Sequence, residues 1–185
     1  MLGSTASCLA QAGVVELLGD VLVEFDNQQR IASLMLPKLD VRGSSVQAGC
    51  IPLDLRIADA LQDYVHGDDR ALRSLPIAPG ATPFMDRVRR EMAKIPYGGV
   101  ATYGDIAKNV GKPGAARAVG RVCATNALLL LVPCHRVVAS NGLGGFALGL
   151  EAKQMLLAME HEAAQSRTSR ISGEVMCRVS RTTAP

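Results

Sequence analysis

The sequence predicts an α/β (α+β) protein: a small N-terminal sheet carrying a helix, followed by a mostly helical C-terminal half. Three observations carry this. Period-two apolar patterning is confined to residues 20–36, three- and four-residue apolar spacing takes over from Asp54, and Pro76, Pro79 and Gly80 punctuate the join. A length of 185 residues suits one domain, or two small ones sharing an interface, and 48 % apolar residues suffice for a core. The expected boundaries are 1–78, 79–164 and a polar, mostly disordered tail over 165–185.

The elements follow in order. Val21, Val23 and Phe25 alternate with Leu22, Glu24 and Asp26, Asp26-Asn27-Gln28-Gln29 offers a turn, and Ile31 to Leu36 returns as a second strand stopped by Pro37. Residues 38–52 read as irregular, with a third strand near Val46. From Asp54 to Val65, Leu55, Ala58, Leu61 and Val65 mark the inner face of an amphipathic helix, leaving Asp59, Gln62 and Asp63 outward. Thr82-Pro83 opens another helix, with Thr as cap and Pro at the first position, whose buried stripe is Phe84, Val88 and Met92. Thr102 caps a helix from Tyr103 to Asn109, with Ile106 and Val110 inward. Gly111-Lys112-Pro113-Gly114 breaks the chain before a helix of small residues, Ala115 to Ala124, bearing Arg117 and Arg121. Helix, short turn, helix is the layout of a DNA-reading helix-turn-helix, although helical hairpins of this kind are common. Leu128 to Val132 reads as a buried extended run, Asn141 to Gly145 as a flexible loop, and Leu150 to His161 as a final helix with Leu150, Leu157, Lys153 and Glu160 along related faces.

Composition narrows the function classes. No apolar stretch is long enough to span a bilayer, and residues 1–11 lack the basic and apolar regions of a signal peptide, so a soluble intracellular protein is expected. Charge is lopsided: residues 1–81 carry 6 Lys/Arg against 10 Asp/Glu, and residues 82–160 carry 10 against 5. A basic back half suits a polyanionic partner, or arises by chance on a solvated surface. Five cysteines, with no C-x-x-C pair, fit reduced thiols better than a disulfide framework. No histidine pairs with them at zinc-finger spacing, and no metal is expected.

Cys134 is followed directly by His135. A thiol is mostly protonated at neutral pH, only the thiolate is a good nucleophile, and a nearby imidazole can take the proton. The imidazole then needs a partner to set its tautomer. Glu160 is the candidate, with Glu151 a poorer one beside the flexible loop. Cys-His adjacency alone is more often a buried structural cysteine beside a histidine than a catalytic pair.

The wider pattern is more specific. Thr82-Pro83-Phe84, Ile95-Pro96-Tyr97-Gly98, Thr102-Tyr103-Gly104-Asp105-Ile106-Ala107, Ala116-Arg117-Ala118-Val119-Gly120, Asn126, Pro133-Cys134-His135-Arg136-Val137-Val138, Gly144-Gly145-Phe146 and the stretch from Leu150 to Glu160 occur in one order. Together they closely resemble the O6-alkylguanine-DNA alkyltransferase family (methylated-DNA–protein-cysteine methyltransferases) over residues 80–161; the front half matches only in size and general pattern.

The resemblance implies an RNase H-like front domain and a repair protein that flips O6-alkylguanine, or O4-alkylthymine, out of double-stranded DNA. It implies irreversible alkyl transfer to Cys134 in a single turnover, as a monomer, with no cofactor and no membrane. The location implied is the cytoplasm, at the nucleoid of a prokaryote, or the nucleus of a eukaryote. By the same resemblance His135 matches the base acting through water, Glu160 the carboxylate orienting it, Asn126 the brace of the acceptor loop, and Tyr103 the phenol near guanine N3. Arg117 matches the residue that fills the gap left by the flipped nucleotide, with Ala116, Thr102 and Arg121 beside it on DNA. Val137, Gly145, Phe146, Ala147 and Leu148 match the wall of the base pocket. Flipping is required physically, because the O6 substituent lies inside a stacked duplex.

The chain departs from the pattern in places. Phe146 stands where tyrosine is frequent, Leu148 where glycine is common, Ala127 where proline usually follows the asparagine, Arg89 where tryptophan is frequent, and Gly99 where an acid is usual. These touch substrate range and stability, not the reacting groups. Three other readings compete. A non-catalytic damage sensor would lack the acceptor, which Cys134 argues against; a cysteine hydrolase would leave the Arg117 segment unexplained; and no appended metal-binding domain for alkyl sensing is visible to support a transcription regulator.

Overall fold

A computed structural model describes residues 5–7, 21–36 and 55–179, with side chains from 21–36 and 55–167. Three antiparallel strands, β1 (Thr5–Ser7), β2 (Leu22–Phe25) and β3 (Ile31–Met35), form one sheet in that order. The β2–β3 turn is built by Asp26, whose carboxylate accepts from the backbone N–H of Gln28 and Arg30 at 2.9 Å each. The expected third strand near Val46 lies outside the described residues, while β1 was not foreseen.

Helix α1 (Leu55–Val65) and the short α2 (Arg70–Ser74) follow. The buried face of α1 is Ile57, Ala60, Leu61 and Tyr64, and Leu55 is exposed. The expected stripe is therefore rotated, because the helix turns its tyrosine toward the centre of the molecule. Helix α3 (Pro83–Ala93) has Thr82 as N-cap, accepting from the Met85 N–H at 3.2 Å, and buries Val88 and Met92. Phe84 stays half-buried. Helix α4 (Tyr103–Asn109) starts with a capping box between Thr102 and Asp105. After the turn at 111–114 comes α5 (Ala116–Ala124). A 3₁₀ turn over Cys134–Arg136 leads into β5 (Val137–Val138), which pairs in parallel with β4 (Ala101–Thr102).

The two halves share one core. β3 bonds to the join, where Ile31 N–H donates to Pro76 O at 2.8 Å, and to the segment before Cys134, where Leu34 N–H donates to Ala127 O at 2.8 Å. Val23, Ile31, Leu34, Ile57 and Leu61 thus belong to the same apolar cluster as Val88, Met92, Ile106, Leu128 and Leu156.

Two expectations are corrected. Leu128–Val132 is buried but not extended: it folds back so that Val132 N–H meets Leu128 O at 2.9 Å, with Leu130 at φ 66°. The cause is Asn126, whose side-chain amide reaches the carbonyls of both Leu128 and Val132 and draws the ends together. The final helix, α6, runs from Leu150 to Val179 and so continues through most of the segment expected to be disordered. Composition missed the bonds at the start of this extension. Ser166 Oγ donates to Glu162 O, and the Arg167 guanidinium donates to Gly67 O on the α1–α2 turn. The inner face of α6 is Ala152, Lys153, Leu156 and Glu160, while Leu150 is exposed.

Candidate active site

Cys134 sits at the start of the 3₁₀ turn and is only 2 % exposed. Asn126 Nδ2 donates to its sulfur at 3.2 Å while also donating to Val132 O at 2.9 Å, and its Oδ1 accepts from Leu128 N–H at 3.3 Å. One side chain therefore shapes the loop and touches the thiol. Burial pushes the Cys134 thiol up, and the Asn126 bond offsets part of that rise. The resting sulfur is protonated and needs a base.

His135 lies beside it, fully buried, with Nε2 at 2.8 Å from Glu160 Oε1. Burial alone would raise the Glu160 carboxyl, but hydrogen bonds from His135 and Arg136 override this and hold it at about 2. An ionised carboxylate only accepts, so Nε2 of a neutral ring must donate and Nδ1 carries the lone pair. Burial also lowers the His135 pKa, outweighing Glu160, so the ring is neutral at pH 7. A neutral ring with a free Nδ1 lone pair is a base able to take a thiol proton.

Glu160 is the hub of the buried network. Besides His135 it accepts from Tyr64 Oη at 2.7 Å, from Arg136 Nε and Nη2 at 2.8 Å each, and from Gly98 N–H at 3.2 Å. Arg136 continues to Asp69 at 2.9 Å and to Ile95 O at 3.0 Å, and Asp69 pairs with Arg73 at 2.6 Å. Gly98 has to be glycine: its φ is 73°, and a Cβ there would lie 3.1 Å from Glu160 O and 3.0 Å from Ala164 Cβ.

The loop after Cys134 is stapled by Lys153, which is completely buried. Its Nζ donates to Val137 O at 2.6 Å, Leu143 O at 2.5 Å and Gly145 O at 3.2 Å. Burial lowers its pKa. Tyr103 Oη donates to Gly145 O at 3.3 Å, and burial raises its pKa, so the phenol keeps its proton. The ring rests on Gly144, where a Cβ would come within 2.7 Å of Tyr103 Cε2. Phe146 stands edge-on to His135 with ring centroids 6.4 Å apart, Val137 and Leu148 are buried, and Gly145 is exposed beside half-buried Ala147.

Cys134, His135, Glu160, Asn126, Tyr103 and the 145–148 loop thus fall within one connected cluster. Arg117 and Arg121 stand apart from it, both exposed on α5, with Ala116 and Thr102 half-buried at the starts of α5 and α4. Sequence reasoning missed Tyr64, Asp69, Arg136 and the role of Lys153. For the last, the spacing already puts Lys153 on a face related to that of Glu160, but not the three carbonyls it bonds. Nothing local marks Tyr64 and Asp69, which act across the fold. Among the described residues no group of three or more His, Cys, Asp or Glu is placed to hold a metal ion, and no helix is long and apolar enough to cross a membrane.

The family described as 6-O-methylguanine DNA methyltransferase, DNA binding domain, matches residues 83–162. A protein of Acanthamoeba polyphaga mimivirus named probable methylated-DNA–protein-cysteine methyltransferase is 34 % identical over 83 % of this chain and 93 % of its own length. The methylated-DNA–protein-cysteine methyltransferase of Shigella flexneri is 42 % identical over 56 % of this chain, a match spanning 61 % of that relative's length. Among solved structures, Mycobacterium tuberculosis OGT in complex with DNA is similar with a TM-score of 0.66 and 26 % identity, covering 86 % of this chain and 93 % of that one.

Proposed function

The chain belongs to the methylated-DNA–protein-cysteine methyltransferase family, and on that footing we propose that it repairs alkylated DNA by moving the alkyl group from guanine O6 to its own Cys134. The observation that carries this is the buried relay itself: a protonated thiol braced by Asn126, and a neutral imidazole whose Nε2 is committed to an ionised Glu160.

The reaction follows from those atoms. His135 Nδ1 takes the Cys134 proton, through water in the family scheme. The thiolate attacks the alkyl carbon, the carbon–O6 bond breaks, and its electron pair leaves with the guanine. The Tyr103 phenol supplies a proton at N3, so a neutral base departs. Glu160 stabilises the imidazolium formed in the first step. The product is a thioether with no low-energy route back, so each molecule acts once. O4-alkylthymine offers the same leaving-group chemistry.

Reaching O6 requires base flipping, which costs a few kcal/mol, less at a weakened pair. We assign α4 and α5 as the helix-turn-helix, with exposed Arg117 entering the vacated space and Arg121 near phosphate. The front sheet is read as the RNase H-like domain, and the working unit as a monomer. The crystallised M. tuberculosis relative bound to DNA supports a DNA partner.

The test is intact mass after incubation with an O6-methylguanine duplex. A gain of one methylene mapped to Cys134, and lost in Cys134→Ser, is expected. Tight binding with unchanged mass would point instead to a sensor. Arg117→Ala should slow repair of duplex DNA more than reaction with free O6-benzylguanine; equal slowing would remove Arg117 from flipping.

A further inference from the structure

Away from Cys134, a cleft of about 440 Å³ opens between α2, α3 and the segment before the acceptor. That is within the range of small-molecule sites, roughly 300–1,000 Å³. Its apolar lining includes Leu72, Leu75, Ile77, Leu131 and Val132. Its charged lining is lopsided, with Arg30, Arg73, Arg89 and Arg90 against one carboxylate, Asp86.

The four guanidinium groups are not equivalent. Arg30 is paired with Asp26 at 2.7 Å and Arg73 with Asp69 at 2.6 Å. Among the described residues, Arg89 and Arg90 have no carboxylate in hydrogen-bond contact and reach only the carbonyls of Ala78 at 3.4 Å and Asp86 at 3.3 Å. The Asp86 carboxylate is turned to the Gly80 N–H, at 2.6 Å. Arg89 Nε is buried with no hydrogen-bond partner among the described residues. A buried donor on a cation is costly to leave unpaired, and the planar fork of arginine matches an oxyanion.

We propose that this cleft binds a small organic oxyanion, its phosphate or carboxylate held by Arg89 and Arg90 and its apolar body laid against Leu131 and Val132. Cavity, apolar floor and uncommitted cations all call for the same class of molecule: a bare inorganic ion would leave the floor unused, and a neutral one would leave Arg89 unpaired. No part of the alkyl-transfer relay uses these two arginines.

The experiment is calorimetric titration of the full chain at low salt with phenyl phosphate, benzoate, inorganic phosphate and benzyl alcohol. Saturable binding of phenyl phosphate or benzoate is expected, and the tighter of the two identifies the head group. Inorganic phosphate should bind at least tenfold more weakly, and benzyl alcohol not at all. Arg89→Gln, which removes the charge, keeps a polar side chain and leaves alkyl-transfer activity in place, should weaken binding tenfold or more, and so should Ala93→Phe, which fills the cleft and keeps every charge. Arg117→Ala should change nothing. The proposal is overturned if neither organic anion saturates, if Arg89→Gln binds as well as the parent, if inorganic phosphate binds as tightly, or if Arg117→Ala abolishes binding and so moves the ligand to the α5 surface.

Discussion

Replacing Glu160 by glutamine tests whether one carboxylate both holds the fold and sets the acceptor's base. The change keeps shape but removes a fully buried charge that accepts five hydrogen bonds, from Tyr64, His135, Gly98 and twice from Arg136. Arg136, 1 % exposed, would keep only Asp69 as a charged partner, and Asp69 is already shared with Arg73. Removing one member of a buried ion pair costs about 3–5 kcal/mol. The same contacts hold the Glu160 carboxyl at about 2, below its ordinary 4.5, which is the direction expected of a carboxylate whose charged form these partners stabilise. At roughly 2–4 °C per kcal/mol for a chain of this size, thermal unfolding should fall by about 10 °C. The amide can still accept from His135 Nε2 but no longer stabilises an imidazolium, so single-turnover transfer should slow by about 10²-fold or more. The assay is transfer of a labelled methyl group at a temperature where circular dichroism shows both proteins folded. A melting point within about 2 °C of the parent, or an unchanged transfer rate, would refute the hub.

The same group sets a pH dependence. Its folded pKa lies below its unfolded value, so its contribution to stability is complete above about pH 4.5 and is lost as pH falls toward 2. Urea titrations should show the gap between parent and Glu160→Gln wide at pH 6 and narrowed at pH 3; a constant gap would assign the loss to packing. Asn126→Ala leaves the buried Leu128 N–H without its acceptor and takes one of two donors from each of the carbonyls of Leu128 and Val132, so a loss of about 1–3 kcal/mol is expected in denaturant melts. It also removes the donor to sulfur, so the Cys134 thiol should titrate higher when followed by thiolate absorbance. Lys153→Met keeps the stem but removes three bonds to the carbonyls of Val137, Leu143 and Gly145. Amide exchange over residues 139–148 should accelerate about tenfold or more, since each bond is worth about 1 kcal/mol; unchanged exchange would show that the loop holds itself.

Elements with local causes were legible from the residues alone. The Asp26 turn, the Thr82 and Thr102 caps and the break at 111–114 were all placed, because each is decided by side chains within a few positions of the backbone they bond. The run from Leu128 to Val132 was misread for the complementary reason. Five apolar residues look extended until Asn126 pulls both ends of the run onto one amide. The segment after residue 165 was misread because its helix leans on Gly67, about a hundred positions away.

By itself the sequence determined the family and the candidate residues: a cysteine beside a histidine, a carboxylate on the last helix, and an ordered set of motifs. Only the tertiary structure decided how that carboxylate is held. Tyr64 and Asp69 come from the front half and Arg136 from the acceptor turn. They meet Glu160 because the two halves close over one core, and a charge can stay ionised in that interior only where its partners are brought to it. Spacing along the chain carries no record of such partners, since burial and mutual distance set their strength.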